Sequence, residues 1–144
     1  MKAAAINRFV LDASVAVAWC FEDETTRFTE SVLNLFPDGA EALVPSIWPL
    51  EVANALLIAE RRKRITAAQV TSLLQRIAGL SISVMAVDTE QAFKQILAAA
   101  RQHGLSEYDA AYLNLALLQG LPLATLDSEL RRSARTAGVV LLSA

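Results

Sequence analysis

Cysteine occurs once in 144 residues, and so does histidine. The single Cys20 excludes a disulfide scaffold and a thiolate zinc site. It reads as a small core hydrophobe in a chain kept in a reducing, cytoplasmic compartment. The lone His103 precedes Gly104 at an expected helix end, where a contact with the helix dipole accounts for it. Charge is scarce too, with Asp, Glu, Lys and Arg together making up 19%. The 13 Lys+Arg stand against 15 Asp+Glu, a net charge of −2, which excludes a broadly basic nucleic-acid binder but not a local basic patch. The longest uncharged stretch, residues 110–126, is interrupted by Asn114, Gln119, Gly120 and Pro122. It falls short of the about 20 apolar residues that span a membrane. The segment Met1–Arg8 lacks the apolar core of a leader peptide. Repeats, low-complexity tracts and linkers are absent from the sequence.

Apolar residues are what the chain has in plenty. They form 54% of it, above the roughly 45–50% usual for soluble domains. A chain of about 150 residues buries roughly 70% of its unfolded surface, enough for one domain over residues 1–144 without staples. Where charge is this sparse, an acid inside an apolar segment needs a reason.

Short apolar runs alternate with helical patterns along the chain. Residues 8–11, 43–45, 81–86, 122–126 and 139–142 read as strands. Helices are expected over residues 13–21, from about Asp23 to Pro37, and from about Ile47 to Arg64 with Pro49 in the first turn. Further helices are expected over 66–78 behind a Thr66 cap, 89–103, from Ser106 to Gly120, and from Asp127 to about Thr136. This alternation predicts a parallel α/β sheet with helices on both faces and a site beyond the carboxyl ends of its strands.

Four acids stand where such a site would form. Asp12 and Asp127 each follow a short apolar strand and precede a helix, positions that an N-cap role would also explain. Glu51 and Asn54 are the only polar residues between Leu50 and Ala59, and their spacing of three puts them on one face. A helix apolar nearly all round is expected to be buried. Glu51 then needs a partner, a raised pKa or a cation, unless it faces solvent and complements the helix dipole. Asp109 ends Ser106-Glu107-Tyr108-Asp109, which has the form of a capping box. Each acid has an ordinary explanation alone. Four such explanations coinciding at one sheet edge are harder to accept, because gathered carboxylates repel unless a cation binds them. Oxygen-only ligands suit Mg²⁺ or Mn²⁺, ions that support phosphoryl chemistry.

At these residues the sequence resembles the PIN-domain family, and within it the VapC-type toxins of toxin–antitoxin pairs. The matching segments are residues 9–15, 49–56, 105–113 and 123–130, each weak alone but fairly specific in this order and spacing. The resemblance implies a three-layer α/β/α sandwich with a short central parallel sheet, and a Mg²⁺- or Mn²⁺-dependent endoribonuclease activity. Carried over, Asp12, Glu51, Asp109 and Asp127 are the acidic quartet, while Ser14 and Ser128 match the family's small polar positions. Asp12 and Asp109 would bind one ion directly. Glu51 would be a further ligand or the base that orients the attacking water, and Asp127 would hold a second ion or act through water. Cleavage would leave a 5′-phosphate and a 3′-hydroxyl. The resemblance also suggests a homodimer covered by a small antitoxin protein.

RNA requires positive charge, and seven of the 13 basic residues fall in two helical segments. Arg61, Arg62, Lys63 and Arg64 form one, and Arg131, Arg132 and Arg135 the other. Both are candidate phosphate contacts, although cations near helix ends also serve the dipole and solvation. Trp19, Phe21, Trp48 and Tyr112 read as core or interface rather than as stacking platforms. Two other functions remain open at the level of sequence. One is a receiver-like phosphoacceptor, which would want a further acid beside Asp12 and a Lys after the last strand, and the chain has neither. The other is a PIN-like module that acts only by binding antitoxin or RNA.

Overall fold

Phe9, Val10 and Leu11 are completely buried, as an apolar strand with neighbours on both sides must be. In the computed structural model, which describes residues 5–143, they form most of β1 (Arg8–Leu11). Parallel partners flank it, β2 (Glu41–Pro45) on one side and β4 (Leu123–Ala124) on the other. β3 (Ile82–Met85) joins the far side of β2, giving the order β3-β2-β1-β4. Residues 1–4 of the N-terminal segment, read above as no leader, lie outside the described residues.

Among the described residues seven α-helices accompany the strands: α1 (Ala13–Trp19), α2 (Arg27–Leu33), α3 (Trp48–Arg61), α4 (Ala67–Ala78), α5 (Leu97–His103), α6 (Glu107–Gln119) and α7 (Ser128–Ala137). α1 packs on α2 and α3, and α3 on α4. α6 lies against β1, β2 and β4, with α5 and α7 beside it. The result is the expected three-layer α/β/α sandwich. From β1 the chain works outward through β2 to β3, then returns past β1 to β4. The winding reverses between β1 and β4, and at such a reversal sheets of this kind form a crevice at their carboxyl ends. Among the described residues no helix is long and apolar enough to cross a membrane.

Local chemistry explains most boundaries. Thr66 caps α4 in a capping box with Gln69, and Pro49 sits in the first turn of α3, where its missing N–H costs nothing. The reversals that end α5 and α6 use left-handed backbone at Gly104 (φ 66°) and Gly120 (φ 63°).

Several boundaries differ from expectation. The second helix starts at Arg27 rather than near Asp23, because Thr26 and Thr29 close a capping box there and Glu22–Glu24 form a separate 3-10 turn. The segment leading into α5 is π-helical over Gln91–Ile96. The expected strand at 139–142 reduces to one parallel bridge between Leu123 and Leu141, since β4 has two residues and offers no longer ladder. α3 is not buried all round either. Its outward side exposes Leu50 (67%), Leu57 and Ile58 beside Asn54, so a single stripe faces the core through Trp48, Val52, Leu56 and Ala59.

Candidate active site

The crevice is organised by Asp12. It follows β1 and is only 6% exposed, yet its side chain does not cap α1. Its Oδ2 instead accepts two hydroxyls, from Ser14 Oγ at 2.6 Å and from Thr125 Oγ1 at 2.7 Å. Both hydroxyls also accept a backbone N–H from the segment that follows β4. Ser14 Oγ accepts that of Leu126 at 3.0 Å, and Thr125 Oγ1 that of Asp127 at 3.0 Å. The Asp12 N–H donates to Ala124 O at 2.9 Å. The ends of β1 and β4 are thus stitched together around one carboxylate.

Asp127 does cap α7, accepting the Leu130 N–H at 2.8 Å on Oδ1. Its cap and its place at the crevice are therefore compatible. Glu51 lies in the first turn of α3 and is half-buried. It accepts the phenol hydroxyl of Tyr112 at 2.5 Å on Oε1, so it does not simply face solvent. Asp109 lies in the first turn of α6, where its N–H donates to Ser106 Oγ at 3.1 Å. Its carboxylate does not return the bond to the Ser106 N–H, so the capping box is half-formed.

Asp12 and Asp109 each lie in the fields of the other carboxylates, Glu51 and Asp127 included. Burial pushes the Asp12 carboxyl up from its ordinary pKa and the Asp127 charge adds to this, while the Ser14 and Thr125 hydroxyls oppose it. Burial raises Glu51 as well, helped by Asp12 and Asp109 and opposed by Tyr112. Asp109 is raised by burial, by Asp127 and by Asp12. Tyr112 is fully buried, and burial together with its bond to Glu51 holds the phenol far above its usual pKa, so it stays a donor. Among the described residues, no ion pair involves any of the four acids. No three described acids, His or Cys converge closely enough to grip an ion by themselves. What results is a partly buried group of carboxylates with no cationic side chain paired to it among the described residues.

The other candidates divide. Ser14 belongs to the site. Ser128 is exposed at the start of α7 and among the described residues makes no hydrogen bond to an acid, whereas Thr125, three residues earlier, donates to Asp12. Asn54 shares a helix with Glu51 but is exposed, and among the described residues it makes no hydrogen bond to an acid. Arg61, Arg62 and Lys63 are exposed at the end of α3, whereas Arg64 pairs with Asp23 and Glu24 and stacks over Phe21 at 4.3 Å. Arg131 donates to Thr125 O at 2.9 Å and lies over Phe28, which makes it a brace for the β4 end rather than a free phosphate contact. Arg132 pairs with Glu129, and Arg135 is exposed.

Two residues escaped the sequence reading. Thr125 reads as part of an apolar strand over 122–126 and Tyr112 as a core or interface aromatic. The available signals were spacing: Thr125 two before Asp127, and Tyr112 three after Asp109 on the same helical face. Thr125→Val keeps the shape but leaves Asp12 one donor short and the Asp127 N–H without an acceptor. A loss of about 1–3 kcal/mol is expected. In a domain of this size that is a fall of roughly 3–10 °C in the melting temperature, read by circular dichroism. An unchanged melting temperature would show that the stitch is not holding the crevice.

Residues 9–136 match the PIN domain family. The chain is 28% identical over 123 residues to Ribonuclease VapC3 of Pyrobaculum aerophilum, covering 85% of this chain and 92% of that one. Its fold is similar to the crystal structure of PAE2754 from the same organism, with TM-score 0.70 and 24% identity over 94% of this chain and 83% of that one. It is similar also to VapBC2 from Rickettsia felis, solved bound to a DNA fragment from their promoter, with TM-score 0.66 and 14% identity over 94% and 97%. With the family matched across nearly its whole length, and the acids at the crevice where the sheet's winding reverses, the chain belongs to the PIN-domain family.

Proposed function

We propose that the chain is a divalent-cation-dependent endoribonuclease and the toxin of a toxin–antitoxin pair. The observation that carries this reading is the gathering of Asp12, Glu51, Asp109 and Asp127 from four elements into one crevice, with no cation among the described residues paired to them. The ribonuclease name of the 28% identical relative supports the activity, and the VapBC2 structure supports an antitoxin partner.

The donor set fits the cation in kind. It is all oxygen, it is anionic, and it holds neither thiolate nor imidazole, which suits Mg²⁺ or Mn²⁺. Mg²⁺ keeps several waters and takes only one or two carboxylates directly, in keeping with acids that approach one another without enclosing an ion. Asp12 and Asp109 would hold it, with Glu51 and Asp127 as further ligands. When bound, the ion would lower the pKa of a water and offset charge on the phosphate oxygens. The chain's own part is to hold these groups still. Ser14 and Thr125 fix the Asp12 carboxylate, α7 fixes Asp127, and Tyr112 fixes Glu51. Arg61, Arg62, Lys63 and Arg135 remain available for backbone phosphates, which position RNA without reading its sequence.

The exposed apolar residues Leu50, Leu57 and Ile58 on α3, and Leu117 and Leu118 on α6, suit protein partners. On this reading those partners are a second copy of the chain and a small antitoxin, in the cytoplasm. The direct test incubates the purified chain with RNA. Cleavage is expected with Mn²⁺ or Mg²⁺, to ends carrying a 5′-phosphate and a 3′-hydroxyl, and none in excess EDTA. The alternative, a PIN-like module that only binds antitoxin or RNA, leaves the RNA intact under every one of these conditions.

A further inference from the structure

We infer that Tyr112 is a positioning residue whose hydroxyl aims the Glu51 carboxylate at Asp12 and Asp109, and thereby sets how tightly the site binds a divalent cation. The inference rests on the proposed reading of the four acids as a cation site.

Tyr112 is 0% exposed among the apolar residues of the core, next to Leu113 on α6. A ring that merely filled this space could be Phe, with no polar atom to satisfy. The hydroxyl donates to Glu51 Oε1 at 2.5 Å, on a helix 61 residues away in sequence, and the Ala13 N–H also bears on it. That length belongs to a charge-assisted O–H···O⁻ bond. The bond is not a by-product of helix packing either, because α3 and α6 share no extensive contact and each packs on other elements.

Register explains how the bond reaches the site. Asp109 and Tyr112 are three apart on α6, so they project to the same side. Asp109 enters the crevice from the first turn and Tyr112 meets Glu51 one turn deeper. Glu51 has a long side chain, is half-buried, and stands in the fields of Asp12 and Asp109. Repulsion from those two acids and the entropy of a free rotor both favour swinging it out to water. The Tyr112 hydroxyl opposes both. It occupies one side of Oε1 and leaves Oε2 for a ligand, as residues behind a metal's direct ligands do.

The test is Tyr112→Phe, which keeps the ring and removes the oxygen. Mn²⁺ binding is measured by electron paramagnetic resonance or calorimetry on the full chain, alongside thermal melting without metal. Removing such a support usually weakens metal affinity about 10–100-fold, and a loss in that range is expected for Mn²⁺. In a Glu51→Ala background the same substitution is expected to change Mn²⁺ affinity less than twofold, because the group it positions is gone. A purely structural tyrosine lowers the melting temperature while leaving Mn²⁺ affinity within about twofold of the parent, and that result overturns the inference. So does an equal loss of affinity in both backgrounds. A parent that binds no Mn²⁺ at millimolar concentration overturns the cation reading itself, which separates the two failures. A measurement without substitution guards against a variant that does not fold. The chain has two tyrosines, so ¹³Cζ-labelling gives two signals, one from exposed Tyr108 and one from Tyr112. Titration with Mg²⁺ is expected to move the Tyr112 signal saturably, and a signal that stays in place while Mg²⁺ binds sinks the proposal.

Discussion

Asp12→Asn is expected to slow RNA cleavage by at least about 10³-fold while leaving the fold intact. Asp12 is the most deeply buried of the four acids. Both hydroxyls that hold it bond the same oxygen, Oδ2. An asparagine with its carbonyl oxygen in that place keeps both bonds, and its amide takes the other position. The substitution also removes a charge that burial disfavours, so thermal stability without metal should not fall. What it removes is the anionic donor at the centre of the site. A single-turnover assay with Mn²⁺, paired with circular dichroism melts, separates lost chemistry from lost structure. A rate within a few-fold of the parent would remove Asp12 from the reaction.

Asp109→Asn should raise the melting temperature without metal and shrink the rise that Mn²⁺ produces. Two effects compete at this position. An acid in the first turn of α6 gains about 0.3–1 kcal/mol from the helix dipole. Against that stand burial and the charges of Asp127 and Asp12, and the upward shift of its pKa says that the unfavourable effects win. The sign follows for pH as well. A carboxyl whose pKa is raised by folding adds stability below its ordinary value of about 4 and loses it as pH climbs through the raised value. Asp12, Glu51 and Asp109 all shift that way, so the parent without metal should lose stability as pH rises above about 4, and Asp109→Asn should lose less. Mn²⁺ acts oppositely. At a hundred times its dissociation constant a ligand stabilises by about 2.7 kcal/mol, roughly 5–10 °C here. A tenfold weaker site forgoes about 1.4 kcal/mol of this. An equal Mn²⁺-induced shift in parent and variant would count Asp109 out of the cation site.

Much of the architecture was legible from periodicity and caps. Apolar runs of three to six residues, spaced by helical patterns, announced a parallel sheet, and Thr66, Ser106, Gly104 and Gly120 marked helix ends where they are found. The misreadings share a cause, which is that local pattern says nothing of what lies opposite. α3 reads as apolar on every side, but only one stripe meets the core, and Leu50 and Ile58 remain exposed. Val139-Val140-Leu141-Leu142 has the composition of a strand, yet its neighbour β4 is too short to pair with more than one bridge.

The candidate site divides along the same line. Scarcity of charge in an apolar chain singled out Asp12, Glu51, Asp109 and Asp127, because a carboxylate is costly wherever it is not solvated and its residue type is visible without coordinates. The groups that hold them were not visible. Thr125 and Tyr112 are a hydroxyl in a strand and an aromatic in a helix, types for which core packing is the ordinary explanation. Their roles arise from bonds spanning 113 and 61 residues of chain. Likewise Arg64 and Arg131 looked like free cations in basic runs, and tertiary contacts commit them to Asp23 and Glu24 and to Thr125 O. Charge is carried by the residue itself, so its presence is a property of sequence. Orientation is imposed by whatever stands across the crevice, and only the fold supplies that.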